Sequence, residues 1–267
     1  MDSVVDTLVA IKPSGAKPPL HCVPAVSGSP YAYNGLARLL DKEQPLYGFE
    51  APGFDNERAP VASLRELAAE YTEALRSAQP GPYCLLGWSM GGVIAFEMAL
   101  RLTEAGQEVP LLILVDAVTP LKADTPDQAD MTKSFLYDLM AAAAVEKDTM
   151  DSVLAGAAAE PDAAFGWIER AGLLPEELDA EFLSERYAVF HAHIEASYGY
   201  ETDEIYRGGP VLAIKAAATP PDRMRWERFA ANVEEHVIDA DHHSIWQGDR
   251  LIELSQVVQR RLDGEAG

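Results

Sequence analysis

The sequence predicts an α/β protein, a mostly parallel sheet with helices on both faces and an all-helical block inserted late in the chain. Three observations predict it. Short, continuous apolar runs recur along the chain, and helical patterns separate most of them. After Asp116 the alternation stops, and roughly 80 residues carry helical patterns alone, far more than the dozen or so a crossover needs. Runs that are continuous rather than alternating mark strands buried on both faces of a parallel sheet. Strand–helix alternation places helices over both of those faces.

Taken in order, the strands are read at 8–11 (LVAI), 20–23 (LHCV), 46–49 (LYGF), 83–86 (YCLL), 111–115 (LLILV) and 211–214 (VLAI), with a strand-like HVI at 236–238. The clearest helix is SLRELAAEYTEALRSA, 63–78, where Ser63 and Glu66 form a capping box and Pro80 and Gly81 follow the end. GVIAFEMALRLTEAG reads as an almost wholly apolar helix stopped by Gly106, and LIELSQVVQRRL as the last helix. The inserted block should open with Thr125 as cap, Pro126 in the first turn and Gln128 completing a capping box. Further helices are expected around 162–172 and 179–200. We read one domain, with a core of 1–119 and 206–267 and a helical lid at about 120–205.

Composition excludes several classes. Twenty-one Lys and Arg against 43 Asp and Glu leave a net charge of −22, which repels nucleic acid. The mean hydropathy is −0.09 and no apolar run reaches the 18 residues of a membrane span. MDSVVDTLVAIKPSG lacks the basic and apolar regions of a secretory signal, so a cytoplasmic protein is expected. Cys22 and Cys84 lie in apolar runs as core residues, and two cysteines without a histidine pair make no zinc site. No metal is expected.

The stretch that carries chemistry is GWSMGG, residues 87–92. Chance alone supplies G-x-S-x-G in about one chain in ten of this length, so the context decides: a strand before it and a helix behind it make a nucleophile elbow. Such a turn forces Ser89 into strained dihedrals, and Gly87 and Gly91 remove side chains that would collide there. The N–H of Met90 then opens a helix and can meet an oxyanion. A serine needs a base and the base an orienting acid. His21, His191, His193 and His236 read as packed or surface residues, whereas His242 and His243 lie in a late polar loop suited to a base. Two acids compete on position: Asp116, at the end of LLILVD, and Asp222, in AAATPPDRM after the strand VLAI. Asp241 is too close in sequence to orient the histidine.

These residues resemble the chain-releasing thioesterase domains of nonribosomal peptide synthetases and polyketide synthases. The resemblance covers nearly the whole chain: LHCVPAVSGSPYAYNGLARLL, QPLYGFEAPG, the run from ASLRELAAEY through GWSMGG to LLILVDA, the segment LPEELDAEF with its following helix, and ADHHSIW. It implies an α/β-hydrolase fold with a helical lid, a serine hydrolase forming an acyl-serine intermediate, and a catalytic set of Ser89, Asp116 and His242. It also implies an oxyanion hole from the backbone amides of Val26 and Met90. The implied partner is an acyl or peptidyl carrier domain presenting a thioester on phosphopantetheine, with no bound cofactor, and release by hydrolysis or cyclisation. Ala240 stands where the family has glycine, Trp246 where a smaller apolar residue is common, and His243 offers a second histidine one position on. The loop at 24–28 lacks the HAGG-like sequence of editing thioesterases, and Trp88 stands where they carry histidine; both favour chain release. An editing thioesterase, a general esterase and a ligand-binding protein of hydrolase fold are the rivals. Phe135, Tyr137, Phe165, Trp167, Tyr187 and Phe190 are candidate pocket lining, each more simply read as lid core.

Overall fold

The computed structural model describes residues 7–54, 58–120, 125–143, 145–157, 160–172, 174–175 and 178–264. Seven strands form one sheet: β1 (Leu8–Lys12), β2 (Leu20–Val23), β3 (Leu46–Phe49), β4 (Cys84–Trp88), β5 (Leu111–Val115), β6 (Val211–Ala216) and β7 (Val233–Ile238). Their order is β1-β3-β2-β4-β5-β6-β7, antiparallel between β1 and β3 and parallel elsewhere.

Burial on both faces follows strand alternation. Leu112 and Leu114 of β5 join one core with α2 (Leu64–Ala78) and α3 (Met90–Glu104). Leu111, Ile113 and Val115 join the other, with α1 (Asn34–Leu39) and α8 (Gly248–Leu262). This is why β4 and β5 are apolar at every position. The outer strands differ: β7, VEEHVI, has one fully buried residue, so only its last three residues read as a strand.

Among the described residues between β5 and β6 lie four helices, α4 (Gln128–Ala142), α5 (Lys147–Gly156), α6 (Pro161–Ala171) and α7 (Ala180–Tyr198), around an apolar cluster of their own. Two details differ from the sequence expectation. The cap of α4 is Asp127, whose carboxylate accepts from the Asp130 N–H at 2.9 Å, so the helix starts two residues after the predicted Thr125 cap. An aspartate at the cap also has the favourable sign for the helix N-terminus. Helix α5 was not predicted; it buries only Met150, too little to leave a periodic apolar stripe. Residues 121–124 and 176–177, which fall in the predicted start of the block and in LPEELDAEF, lie outside the described residues.

The Ser63 hydroxyl accepts from the Glu66 N–H at 3.3 Å, as its capping pattern predicts. Helix α3 ends where Gly106 takes φ +71°. Among the described residues no helix is long and apolar enough to cross a membrane.

Candidate active site

Strand β4 runs into α3 through Ser89 alone. Its backbone sits at φ 57°, ψ −128°, a conformation that costs a non-glycine residue about 1–3 kcal/mol and persists only where the surroundings impose it. They do so tightly. A Cβ on Gly87 would lie 2.1 Å from the Gly91 carbonyl oxygen, and one on Gly91 would lie 2.4 Å from the carbonyl oxygens of Val23 and Pro24. The two glycines thus admit different neighbours: Gly87 admits the first turn of α3, and Gly91 admits the end of β2. The Ser89 N–H still donates to Val115 of β5 at 3.0 Å, which holds the turn at the carboxyl edge of the sheet.

The two candidate acids stand in different places in space. Asp116 follows β5, has φ 44°, and is fully buried. Its Oδ1 accepts from the Ala216 N–H at 2.9 Å, while Oδ2 accepts from the Thr219 hydroxyl at 2.9 Å and lies 2.6 Å from His242 Nδ1. A buried carboxylate is tolerable when hydrogen-bonded in this way. Since a carboxylate only accepts, His242 donates from Nδ1, leaving Nε2 as the free base position. Asp222 is exposed in a short turn after β6 and lines a separate surface depression with Lys215, Arg225 and Glu227. The AAATPPD loop therefore contributes a hydroxyl to the site through Thr219, and its carboxylate lies elsewhere.

The neighbouring histidine has a different partner. His243 Nε2 lies 3.2 Å from Asp138 Oδ1 on α4, and its ring meets Trp88 and Tyr137. Asp241 folds the loop that presents both: its carboxylate accepts from the N–H groups of His243 and Ser244 at 3.0 and 2.9 Å. Burial works against that charge, but these bonds hold the Asp241 carboxyl below the usual range. Three of the other histidines have polar partners. His21 bonds the Cys84 carbonyl and Gln79, His191 lies beside Glu195, and His236 beside Glu253. Cys22 and Cys84 are buried free thiols, Cys84 with its pKa pushed up to about 11 by burial.

Ser89 stands where two cavities meet, and Val26 lines both. The larger, about 570 Å³, is bounded by His242, Trp88, Trp246, Phe135 and Phe190 and extends to Arg38. The smaller, about 250 Å³, is walled mainly by Leu64, Met90, Val93, Val118 and Ile194. Of the six aromatic candidates, Phe135 and Phe190 line a cavity. Phe165 and Tyr187 pack with those two as core of the inserted block, Tyr137 covers His243, and Trp167 is exposed. Among the described residues the amides of Val26 and Met90 donate to no backbone carbonyl, and Met90 opens a helix, where N–H groups lack intrahelical partners.

Sequence reasoning missed three supporting residues. Thr219 fixes Asp116, and Trp88 lies 5.2 Å, ring to ring, from His242. Tyr33 bridges the two strands that end at the site, its hydroxyl bonded to the Val23 carbonyl and accepting from the Trp88 N–H at 3.2 Å. Each is an ordinary residue of a turn, a strand or a short helical turn, and only its spatial neighbours single it out.

A family model described as thioesterase domain matches residues 18–262. The chain is 31% identical over 277 residues to the dimodular nonribosomal peptide synthase of Bacillus subtilis (strain 168), covering 98% of this chain and 11% of that protein. It spans between 2 and 29% of the length of the curated relatives it matches. Among solved structures it is similar to holo-AB3403, a four-domain nonribosomal peptide synthetase bound to AMP and glycine, with a TM-score of 0.79 at 21% identity, covering 96% of this chain and 20% of that one. The NocB thioesterase domain in covalent complex with a fluorophosphonate nocardicin G analogue gives 0.69 at 24% identity, over 96% and 99%. Both likenesses are of fold, an α/β-hydrolase sheet with its helices.

Proposed function

Because this chain belongs to the thioesterase-domain family, we propose that it releases an acyl or peptidyl chain from the phosphopantetheine arm of a carrier domain, by way of an acyl-serine at Ser89. One observation carries the reading: His242, its Nδ1 2.6 Å from the buried Asp116 carboxylate, borders the same cavity as a serine on a strained elbow.

In the reading, His242 Nε2 takes the Ser89 proton as Oγ attacks the thioester carbonyl, and Asp116 stabilises the imidazolium through Nδ1. The carbonyl oxygen becomes an oxyanion between the Val26 and Met90 amides, where each donor is worth about 10²–10³ in rate. Collapse breaks the C–S bond, and His242 returns its proton to the departing thiolate. Water, or a nucleophile within the acyl chain, then attacks the acyl-serine by the same steps. A thioester has two limbs leaving its carbonyl carbon, and two cavities meeting at Ser89 provide one for each. The helices between β5 and β6 act as a lid that walls both cavities. That the curated relatives are synthetases, of which this chain matches a part, supports release over editing.

The test is incubation with a panel of acyl thioesters, from acetyl to peptidyl, with mass spectrometry of Ser89 and of the product. A trapped acyl group on Ser89 and faster turnover of long chains are expected. Turnover favouring acetyl would point to editing, and an unlabelled Ser89 with undiminished turnover would overturn the reading.

A further inference from the structure

Helix α7 carries a buried histidine that this chemistry does not use. His193 is fully buried, and its Nδ1 lies 2.8 Å from the carbonyl oxygen of Val26. Among the described residues its Nε2 has no hydrogen-bond partner. A carbonyl can only accept, so Nδ1 carries the proton and donates, and Nε2 is left as a bare lone pair. Burial keeps the ring neutral, pushing its pKa down to about 4. A second proton would place an unpaired N–H and a charge in a dry site.

The loop it holds is tightly built. The Gly28 N–H closes a turn onto the Ala25 carbonyl at 2.9 Å, and the Gly28 carbonyl accepts from the Ala51 N–H at 3.0 Å. Gly28 has φ +75°, and a Cβ there would lie 2.6 Å from Ala51 Cβ and 3.0 Å from Val189 of α7. The Val26 side chain packs into the apolar cluster of the inserted helices. Turn, glycine and apolar contact press the loop against α7, and the His193 bond is the polar contact that fixes one peptide plane within it.

We propose that His193 is a positioning residue, which through the Val26 carbonyl holds the loop in the geometry that aims the Val26 amide at the oxyanion. The inference rests on the reading of Val26 as an oxyanion donor. It also makes the oxyanion hole dependent on the lid, since the loop keeps its working geometry only while α7 is packed over it.

The test compares His193→Leu, His193→Asn, His193→Gln and Ser89→Ala in the full chain, with a soluble acyl thioester and thermal unfolding beside the kinetics. Asn places an N–H donor the same number of bonds from Cα as Nδ1; Leu has none, and Gln sets it one bond too far. Leu and Gln are expected to lower kcat by about tenfold or more with KM within about twofold, because the oxyanion contact forms in the transition state. Asn is expected to stay within about threefold of the starting kcat. If Leu does not fold, the Gln and Asn pair carries the comparison. Equal kcat for all three folded variants, or losses that track the folded fraction alone, would overturn the inference. A Ser89→Ala protein that keeps its turnover would instead overturn the acyl-serine reading itself.

Discussion

Asp116 shows how much of a site can rest on one buried carboxylate. Its three side-chain partners, Ala216, Thr219 and His242, stand 100, 103 and 126 residues away in sequence, and they meet because β5, β6 and the loop after β7 end at the same sheet edge. Asp116→Asn keeps the size and loses the acceptor that selects the His242 tautomer. Turnover should fall by about 10³–10⁴ with the fold intact, read as kcat beside a circular-dichroism melt. The paired histidines give a sharper contrast. His242→Ala should cost about 10³ or more in kcat and abolish fluorophosphonate labelling of Ser89, whereas His243→Ala, which removes a contact to Asp138, should cost less than about tenfold. The reverse order would move the base to His243. Sequence position alone leaves Asp116 and Asp222 level, because both follow strands at the carboxyl edge; the structure separates them by burial and by what each touches.

At the scale of elements, the elbow is legible because its physics is short-range. Gly87, Ser89 and Gly91 are set mainly by clashes within a strand–turn–helix unit, with the end of β2 beside Gly91 and the Val115 carbonyl of β5 on the Ser89 N–H as distant neighbours. Gly87→Ala would drive a methyl into the backbone of α3, so a loss of about 3 kcal/mol or more is expected in urea unfolding, with turnover falling further as Ser89 shifts. Ser63→Ala removes the α2 cap at a cost of about 1 kcal/mol without altering kcat. The elements the sequence hides are those that bury little. Strand β7 shows as HVI because Glu234 and Glu235 interrupt its apolar pattern, and α5 is silent because Met150 is its single buried residue. The Asp127 cap lies two residues past a Thr-Pro that carries the same local signals, and hydrogen bonding decides between them.

Over the whole molecule, the sheet and the inserted helices are joined at the site, and that junction has a pH signature. With a folded pKa of about 4 against 6.5 unfolded, His193 binds its proton first in the unfolded chain. Its contribution to stability should therefore fall as pH drops from about 6.5 to about 4 and level off below. The His193 share is about 3 kcal/mol. Chemical unfolding at pH 7, 5.5 and 4 should show this slope, and His193→Asn should make it shallower, the buried His21 contributing in the same direction; an unchanged slope would remove His193 as a source. Most strand runs, the apolar α3 and the elbow are legible in the residues alone, since each is dictated by neighbours within a few positions: steric clash, capping and burial on both faces of a strand. Packing across the fold sets β1 antiparallel at the edge, brings Thr219 rather than Asp222 to Asp116, and puts the ring of His242 rather than His243 against that carboxylate. It alone brings His193 of α7 to the Val26 carbonyl. These are contacts between residues far apart in the chain, and their energies depend on distances that no local pattern of residues encodes.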